Sequence, residues 1–178
     1  NAIIKKKVKN VYFSIKDPDV RSYNKSILKL KKNKINARDG IYSEEVKNFY
    51  RSYIKNKKED LPFVSCKLAV SGDFFTKSRN NKWITNKFSR GRVHLMRSYH
   101  DCVLTSARTI VHDNSQLTCR INGLEANSPS RIIIDKRLSI PTSSRIIKTA
   151  KDFNTILFYN KFNYKKIKLL KKLKVKLV

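Results

Sequence analysis

Glycine and proline are scarce in this chain, four of each, and methionine and tryptophan occur once each. A chain so poor in glycine has little material for a phosphate-cradling loop, and neither a GxGxxG nor an EGG turn is present. The cysteines, Cys66, Cys102 and Cys119, are odd in number and far apart, with no CxxC. That argues against a disulfide framework and a cysteine-based zinc site, and buried thiols are expected. His94, His100 and His112 show no ligand spacing; His94 and His100 flank the end of an expected helix and read as surface or half-buried. No apolar run approaches the roughly 20 residues that cross a bilayer, and no signal peptide is visible, so a membrane partner is not expected and the reducing cytoplasm is the default.

Acidic residues are also short, 13 against 41 basic ones, for a formal charge of +28. Such an excess ordinarily points to a polyanion. Here it is mostly Lys, accompanied by abundant Asn and Ile and spread along the whole chain. AT-rich codon usage produces that drift without a dedicated surface. The charge is read as a solvated Lys-rich exterior, and no nucleic-acid partner is expected. An RNA-binding or ribosome-associated protein remains the alternative that charge alone suggests.

Strand and helix signals alternate. Val11–Ile15 reads as a strand, Asp17-Pro18-Asp19 as a turn, and Tyr23–Lys32 as a helix with Ile27, Leu28 and Leu30 on one face. Ile35–Arg38 is a short strand ended by Asp39-Gly40. A helix opens at Ser43-Glu44-Glu45, carries Val46, Phe49, Tyr50 and Ile54 inward, and runs to Lys58. Pro62 marks a boundary, and Phe63–Ser71 is expected as a central buried strand. Gly72–Lys82 is a polar loop. Then come a helix at Ser89–Ser98, a strand at Cys102–Thr105, a helix at Ala107–His112 and an extended Leu117–Arg120. Strands at 131–135, 155–159 and 175–178 follow, with a Lys-rich helix before the last. The alternation predicts an α/β fold with a mainly parallel sheet.

Several segments, in order, resemble one family. LPFVSCKLAVSGD resembles RPFVxLKxAxSLDG, NNKWIT resembles GESxWIT, and RGRVHLMRSYHDCVLTSARTIVHDNSQLTCR resembles xxxVHxLRAxxDAILVGxxTVxxDDPxLTxR. SRIIIDKRLSIPTSSRII resembles RVVLDSxLRxP. These belong to the reductase domain of the bacterial bifunctional pyrimidine deaminase–reductase of riboflavin biosynthesis. Residues 2–40 resemble the last part of the same enzyme's zinc deaminase domain, whose HAE and PCxxxxxxxxC zinc motifs are not in this sequence. The resemblance implies the tail of a cytidine-deaminase-like domain over residues 1–60 and, over 61–178, a truncated dihydrofolate-reductase-like domain. It implies NADPH as cofactor, zinc only in the upstream deaminase part, and a small-molecule pyrimidine ribosyl phosphate as substrate. The reductase passes a hydride to C1′ of that ribosyl group. The chain opens on Asn and closes on VKLV, before the family's glycine-rich EGG turn. A fragment is therefore expected, one that binds NADPH poorly by itself. A degenerate homologue without activity stays open, as does oligomeric state, a homo-oligomer included.

The same resemblance names site residues. Ala69, Trp83, Thr109, Asp113 and Lys136 fall on the cofactor side. Asn81, Arg97, Leu117 and Arg120 fall on the substrate side. Lys67 and Asp113 take the catalytic positions. Thr109 and Asp113 stand four apart, one helical turn, so both can face one ligand. Asp113 would accept a sugar hydroxyl. Arg97 and Arg120 suit bidentate phosphate binding, although a solvated charge is the plain alternative for any Arg here. Trp83 could equally be core packing. Lys67 is read as pointing toward Asp113, as an ion pair or a ribose contact. Some positions depart from the family pattern: Asn81 replaces a Ser, Lys136 stands where Ser is usual, and HDNS replaces ADDP.

Overall fold

The computed structural model describes residues 2–76 and 83–178, which form two compact units, Asn1–Lys67 and Leu68–Val178. Asn81 and most of the loop before Trp83 lie outside the described residues.

The first unit runs α1 (Ala2–Lys5), β1 (Asn10–Tyr12), α2 (Lys25–Lys32), β2 (Asn36–Arg38), α3 (Ser43–Phe49) and α4 (Arg51–Glu59). β1 and β2 are parallel, with Val11 opposite Ala37, and α2 makes the crossover between them. Ile27 and Leu30 of α2 turn partly inward, but Leu28 is exposed, because its offset from Ile27 takes it off the narrow apolar stripe. Asp19 is buried under the Asp17–Ser22 turn. Arg21 Nη2 lies 2.6 Å and Lys57 Nζ 3.3 Å from its Oδ2, which ties the turn to α4. The hydrogen bonds from Arg21 hold this carboxyl well below the usual range.

The single helix expected from Ser43 is two helices meeting at Tyr50. Its N–H still reaches Val46 O at 2.9 Å, and its carbonyl accepts the Ile54 N–H at 2.8 Å. Val46 and Ile54 are half-buried, but Phe49 (79% exposed) and Tyr50 face outward, against expectation. A unit this small has only one interior side, so one stripe of the helix pair is covered and the aromatic flank is not.

Phe63–Ser71 corrects the reading more seriously. No residue of this stretch belongs to a strand among the described residues, and Val64 and Leu68 are 78% and 72% exposed. It straddles the division between the units at Lys67 and Leu68. An apolar, β-branched run becomes a strand only where a neighbouring backbone accepts its ladder hydrogen bonds. No described segment offers them.

The second unit holds α5 (Lys87–Ser98), β3 (Cys102–Ser106), α6 (Ala107–Asp113), β4 (Ser130–Ile134), α7 (Arg145–Lys148), β5 (Thr155–Phe158), α8 (Tyr164–Lys172) and β6 (Lys176–Leu177). The four strands form a parallel sheet in the order β3-β4-β5-β6, each joined to the next through a helix. Leu104 pairs with Ile132, Ile132 with Ile156, and Ile156 with Lys176. Alternate residues Arg131, Ile133, Thr155 and Leu157 point into a core with Ile110, Ile146, Ile147, Ile167 and Leu170. Burying each large aliphatic contributes about 1.5–3 kcal/mol. α7 has no counterpart among the expected elements. Its four residues are too few for periodicity to reveal, yet Ile146 and Ile147 are fully buried. Cys119 is buried as expected, whereas Cys66 and Cys102 are exposed, Cys102 because it begins an edge strand on the uncovered side.

Asp135 closes β4. Its carboxylate is buried and accepts Ser139 N–H (2.8 Å), Ser139 O–H (2.9 Å) and Ile140 N–H (2.9 Å). It therefore shapes the turn that presents Lys136. Asp135→Asn turns one acceptor into a donor facing donors, and should destabilise the unit by about 1–3 kcal/mol. Urea unfolding checks this; an unchanged midpoint would mean the turn holds itself.

Candidate functional site

The segment 114–120 is the centre of the site, and it contains no helix or strand residue. α6 ends because Asn114 adopts the left-handed conformation (φ 46°), its N–H reaching Ile110 O. Asn114 Oδ1 also accepts the Arg145 N–H at 2.9 Å. Gln116 O accepts from Arg131 Nη1 at 3.1 Å. Leu117 is not extended as expected: φ is 59°, and its side chain is 8% exposed within the core. Core burial holds this unfavourable conformation in place. A ligand contact from Leu117 would therefore run through its backbone. Cys119 N–H donates to Ser128 Oγ at 3.0 Å. The segment is pinned at almost every residue.

Its far end meets α5. Arg97 Nη1 donates to Thr118 O at 3.1 Å and lies 3.4 Å from His94 Nδ1. The Arg120 N–H points at the same Nδ1, 3.2 Å away. Among the described residues neither Arg97 nor Arg120 has a carboxylate within ion-pair distance. Burial, then the Arg120 charge, pushes Arg97 below its ordinary value. Burial and the charges of Arg120 and Arg97 likewise hold the His94 imidazole below its own. Two guanidiniums brought together with no carboxylate beside them among the described residues can receive an anion.

The residues expected on the cofactor side lie around the carboxyl ends of the strands and elsewhere on this unit. β3 and β4 end side by side, Ser106 opposite Ile134. Thr109 lies in the first turn of α6, 3.5 Å from Ser106 Oγ, and Lys136 is exposed just after β4. Carboxyl ends of parallel strands are where such sheets hold ligands. A shallow depression between α6 and the turn after β4 is lined by Arg108, Val111, His112 and Ser139. Asp113 is exposed at the last position of α6, its Oδ1 3.0 Å from His112 Nδ1. Trp83 is 58% exposed with the Arg90 guanidinium 4.8 Å over its ring, so core packing is not its role. Ala69 is half-buried. Lys67 is exposed, and since its stretch is not a strand, the mid-strand orientation expected for it does not hold. Among the described residues no group of His, Cys, Asp and Glu could hold a metal ion. No helix among them is long and apolar enough to cross a membrane.

Residues 62–178 match the family model described as the RibD C-terminal domain. The chain belongs to this RibD family. It is 32% identical over 148 residues to the riboflavin biosynthesis protein RibD of Chlamydia muridarum, covering 81% of this chain and 40% of that protein. With RibD of Aquifex aeolicus it shares 30% over 174 residues, 97% of this chain and 48% of the other. A solved deaminase/5-amino-6-(5-phosphoribosylamino)uracil reductase from Thermotoga maritima superposes with a TM-score of 0.79 at 27% identity, covering 99% of this chain and 55% of that one. Acinetobacter baumannii RibD gives the same TM-score at 24% identity, covering 49% of its own chain. The chain thus spans less than half the length of these two curated RibD relatives. Every site residue from Lys67 to Lys136 falls inside the RibD match.

Sequence reasoning missed two residues that hold the 114–120 segment, His94 and Arg131. His94 and Arg97 stand three apart on one helix, a spacing that could have paired them. Arg131, which anchors Gln116, gave no signal beyond being a cation beside an Ile run.

Proposed function

We propose that this chain carries part of the NADPH-dependent reductase of riboflavin biosynthesis, preceded by the tail of a zinc deaminase domain. The substrate is the 5-amino-6-(5-phosphoribosylamino)uracil of the Thermotoga maritima relative's name, reduced at C1′ to the ribitylamino 5′-phosphate. The observation that carries this reading is the pairing of Arg97 and Arg120 with no carboxylate beside them among the described residues. A sugar phosphate supplies the missing negative charge, and guanidinium forks match its oxygens.

NADPH, when bound, supplies the hydride. Half-buried Thr109 and exposed Asp113 and Lys136, with Trp83 and Ala69, are the residues that would hold it, and the placement of Thr109 and Lys136 just after the carboxyl ends of β3 and β4 fits that use. Asp113 would accept a ribose hydroxyl, Lys136 would meet a cofactor phosphate, and Leu117 would offer backbone to the substrate. Lys67 remains the second candidate for the chemistry at C1′. Asn81 would replace the usual hydroxyl as a phosphate donor. Zinc belongs with the deaminase motifs, none of which is in this sequence.

The RNA-binding alternative accounts for the charge but not for RibD membership. Arg97→Ala or Arg120→Ala in the full-length protein should raise the substrate KM roughly 10- to 100-fold, the cost of one charge-assisted contact. The KM for NADPH should change little. Steady-state NADPH oxidation at varied concentrations of each reactant checks this; equal loss for both would mean a structural role.

A further inference from the structure

His94 belongs to none of the roles above, yet three polar groups meet at its Nδ1. The Arg120 N–H lies 3.2 Å away, Arg97 Nη1 3.4 Å and the Thr118 carbonyl 3.1 Å. One nitrogen cannot serve all three in one protonation state. With a proton, Nδ1 could donate to Thr118 O, but it would set N–H against N–H at Arg120. Without one, it accepts from Arg120. Thr118 O does not need the ring, because Arg97 Nη1 already donates to it at 3.1 Å. The unprotonated Nδ1 therefore satisfies more of the cluster. Two guanidiniums beside the ring also oppose a positive charge on it.

The consequence is mechanical. α5 carries both His94 and Arg97, and the pinned segment carries Thr118 and Arg120. Arg97 holds the segment through Thr118 O, and His94 holds it through the Arg120 N–H. Together they set the direction in which the Arg120 side chain leaves the backbone relative to Arg97.

We propose that His94 is a positioning residue of the anion site: as a neutral imidazole accepting the Arg120 main-chain N–H, it fixes Arg120 beside Arg97 so that both guanidiniums meet one phosphate. This rests on the reading of Arg97 and Arg120 as the substrate-phosphate pair. It adds a residue that touches no substrate and acts only through the orientation of another.

The test uses the full-length protein with His94→Leu, His94→Asn and Arg97→Ala, measured side by side. Leu removes the acceptor, whereas the Asn side-chain oxygen can take the place of Nδ1. His94→Leu should raise the substrate KM about tenfold, the loss of one orienting hydrogen bond. Its kcat and its KM for NADPH should stay near wild type, and His94→Asn should recover most of the loss. Nitrogen-15 NMR of the wild-type imidazole should show Nδ1 unprotonated at neutral pH. If Arg97→Ala raises the substrate KM and His94→Leu does not, His94 has no positioning role. If Asn is as impaired as Leu, with both melting early, the residue is merely structural and the proposal is overturned. A protonated Nδ1 overturns it as well. If Arg97→Ala itself leaves the substrate KM unchanged, the phosphate reading fails first, and the NMR result still decides whether His94 accepts from Arg120.

Discussion

Arg131→Met should cost the protein about 3–5 kcal/mol of stability. Arg131 is fully buried, and no carboxylate among the described residues pairs with it. Its fork is spent on carbonyls and hydroxyls instead: Gln116 O, Ile146 O, Thr149 O and Phe153 O, with Thr149 Oγ1 and Thr155 Oγ1. Burial pushes this guanidinium down to about 10, which still leaves it charged at neutral pH. The charge is stabilised by carbonyl dipoles at and beyond the end of α7, some of which are shared: Thr149 O also accepts the Asp152 and Phe153 N–H, and Phe153 O the Thr155 hydroxyl, whereas Gln116 O and Ile146 O rely mainly on Arg131. Met fills most of the volume but leaves Gln116 O and Ile146 O without their main donor, each unmet acceptor costing about 1–3 kcal/mol. Arg131→Lys should rescue little, since three donors on one nitrogen cannot span a cage built for a planar fork. Thermal melting should fall by on the order of 10 °C for Met. A melting point within about two degrees of wild type would mean that the carbonyls are met by water or by the threonine hydroxyls, and that the cage is no anchor.

Asp113→Asn should do the opposite, harming the reaction and sparing the fold. Asp113 is an exposed acid at the C-terminal end of α6, where the helix dipole disfavours negative charge by about 0.3–1 kcal/mol. Its partner within the unit is the neighbouring His112, itself exposed. Among the described residues only His112 meets the carboxylate, so stability should hold or rise slightly on substitution. If Asp113 accepts a ribose hydroxyl, losing its charge should lower kcat/KM for NADPH oxidation roughly 10- to 100-fold. Deamination, carried by a separate zinc domain in the proposed full-length enzyme, should be unaffected. Paired assays of both steps, with melting alongside, check this. A variant that melts normally and oxidises NADPH at the wild-type rate would leave Asp113 as a helix-ending turn residue.

The parallel sheet of the second unit was legible because its strands announce themselves. Ile132, Ile133 and Ile134 are β-branched in succession, and Thr155–Phe158 repeats the pattern between turns. α8 was legible from Ile167 and Leu170 among lysines. Phe63–Ser71 carried the same local signal and is no strand, because pairing depends on a neighbour that the stretch itself does not contain. The resemblance led to Arg97 and Arg120, and the structure adds that both meet at the His94 ring. It could not foretell Leu117, whose left-handed backbone follows from a buried side chain. Nor could it reveal Arg131, whose partners lie 15 to 24 residues away along the chain. Such partners are assembled by the fold, and no spacing in the sequence encodes them.

The pinned segment has a bearing on timescale. Segments without regular structure usually open in brief local fluctuations at little cost. Here Gln116 cannot leave without uncovering the Arg131 cage, and Leu117 cannot leave without opening the core. The amides of 117–120 should therefore exchange with solvent only as slowly as the central strands do, so that any ligand of this segment would find it already set, and its breathing is the unfolding of the domain.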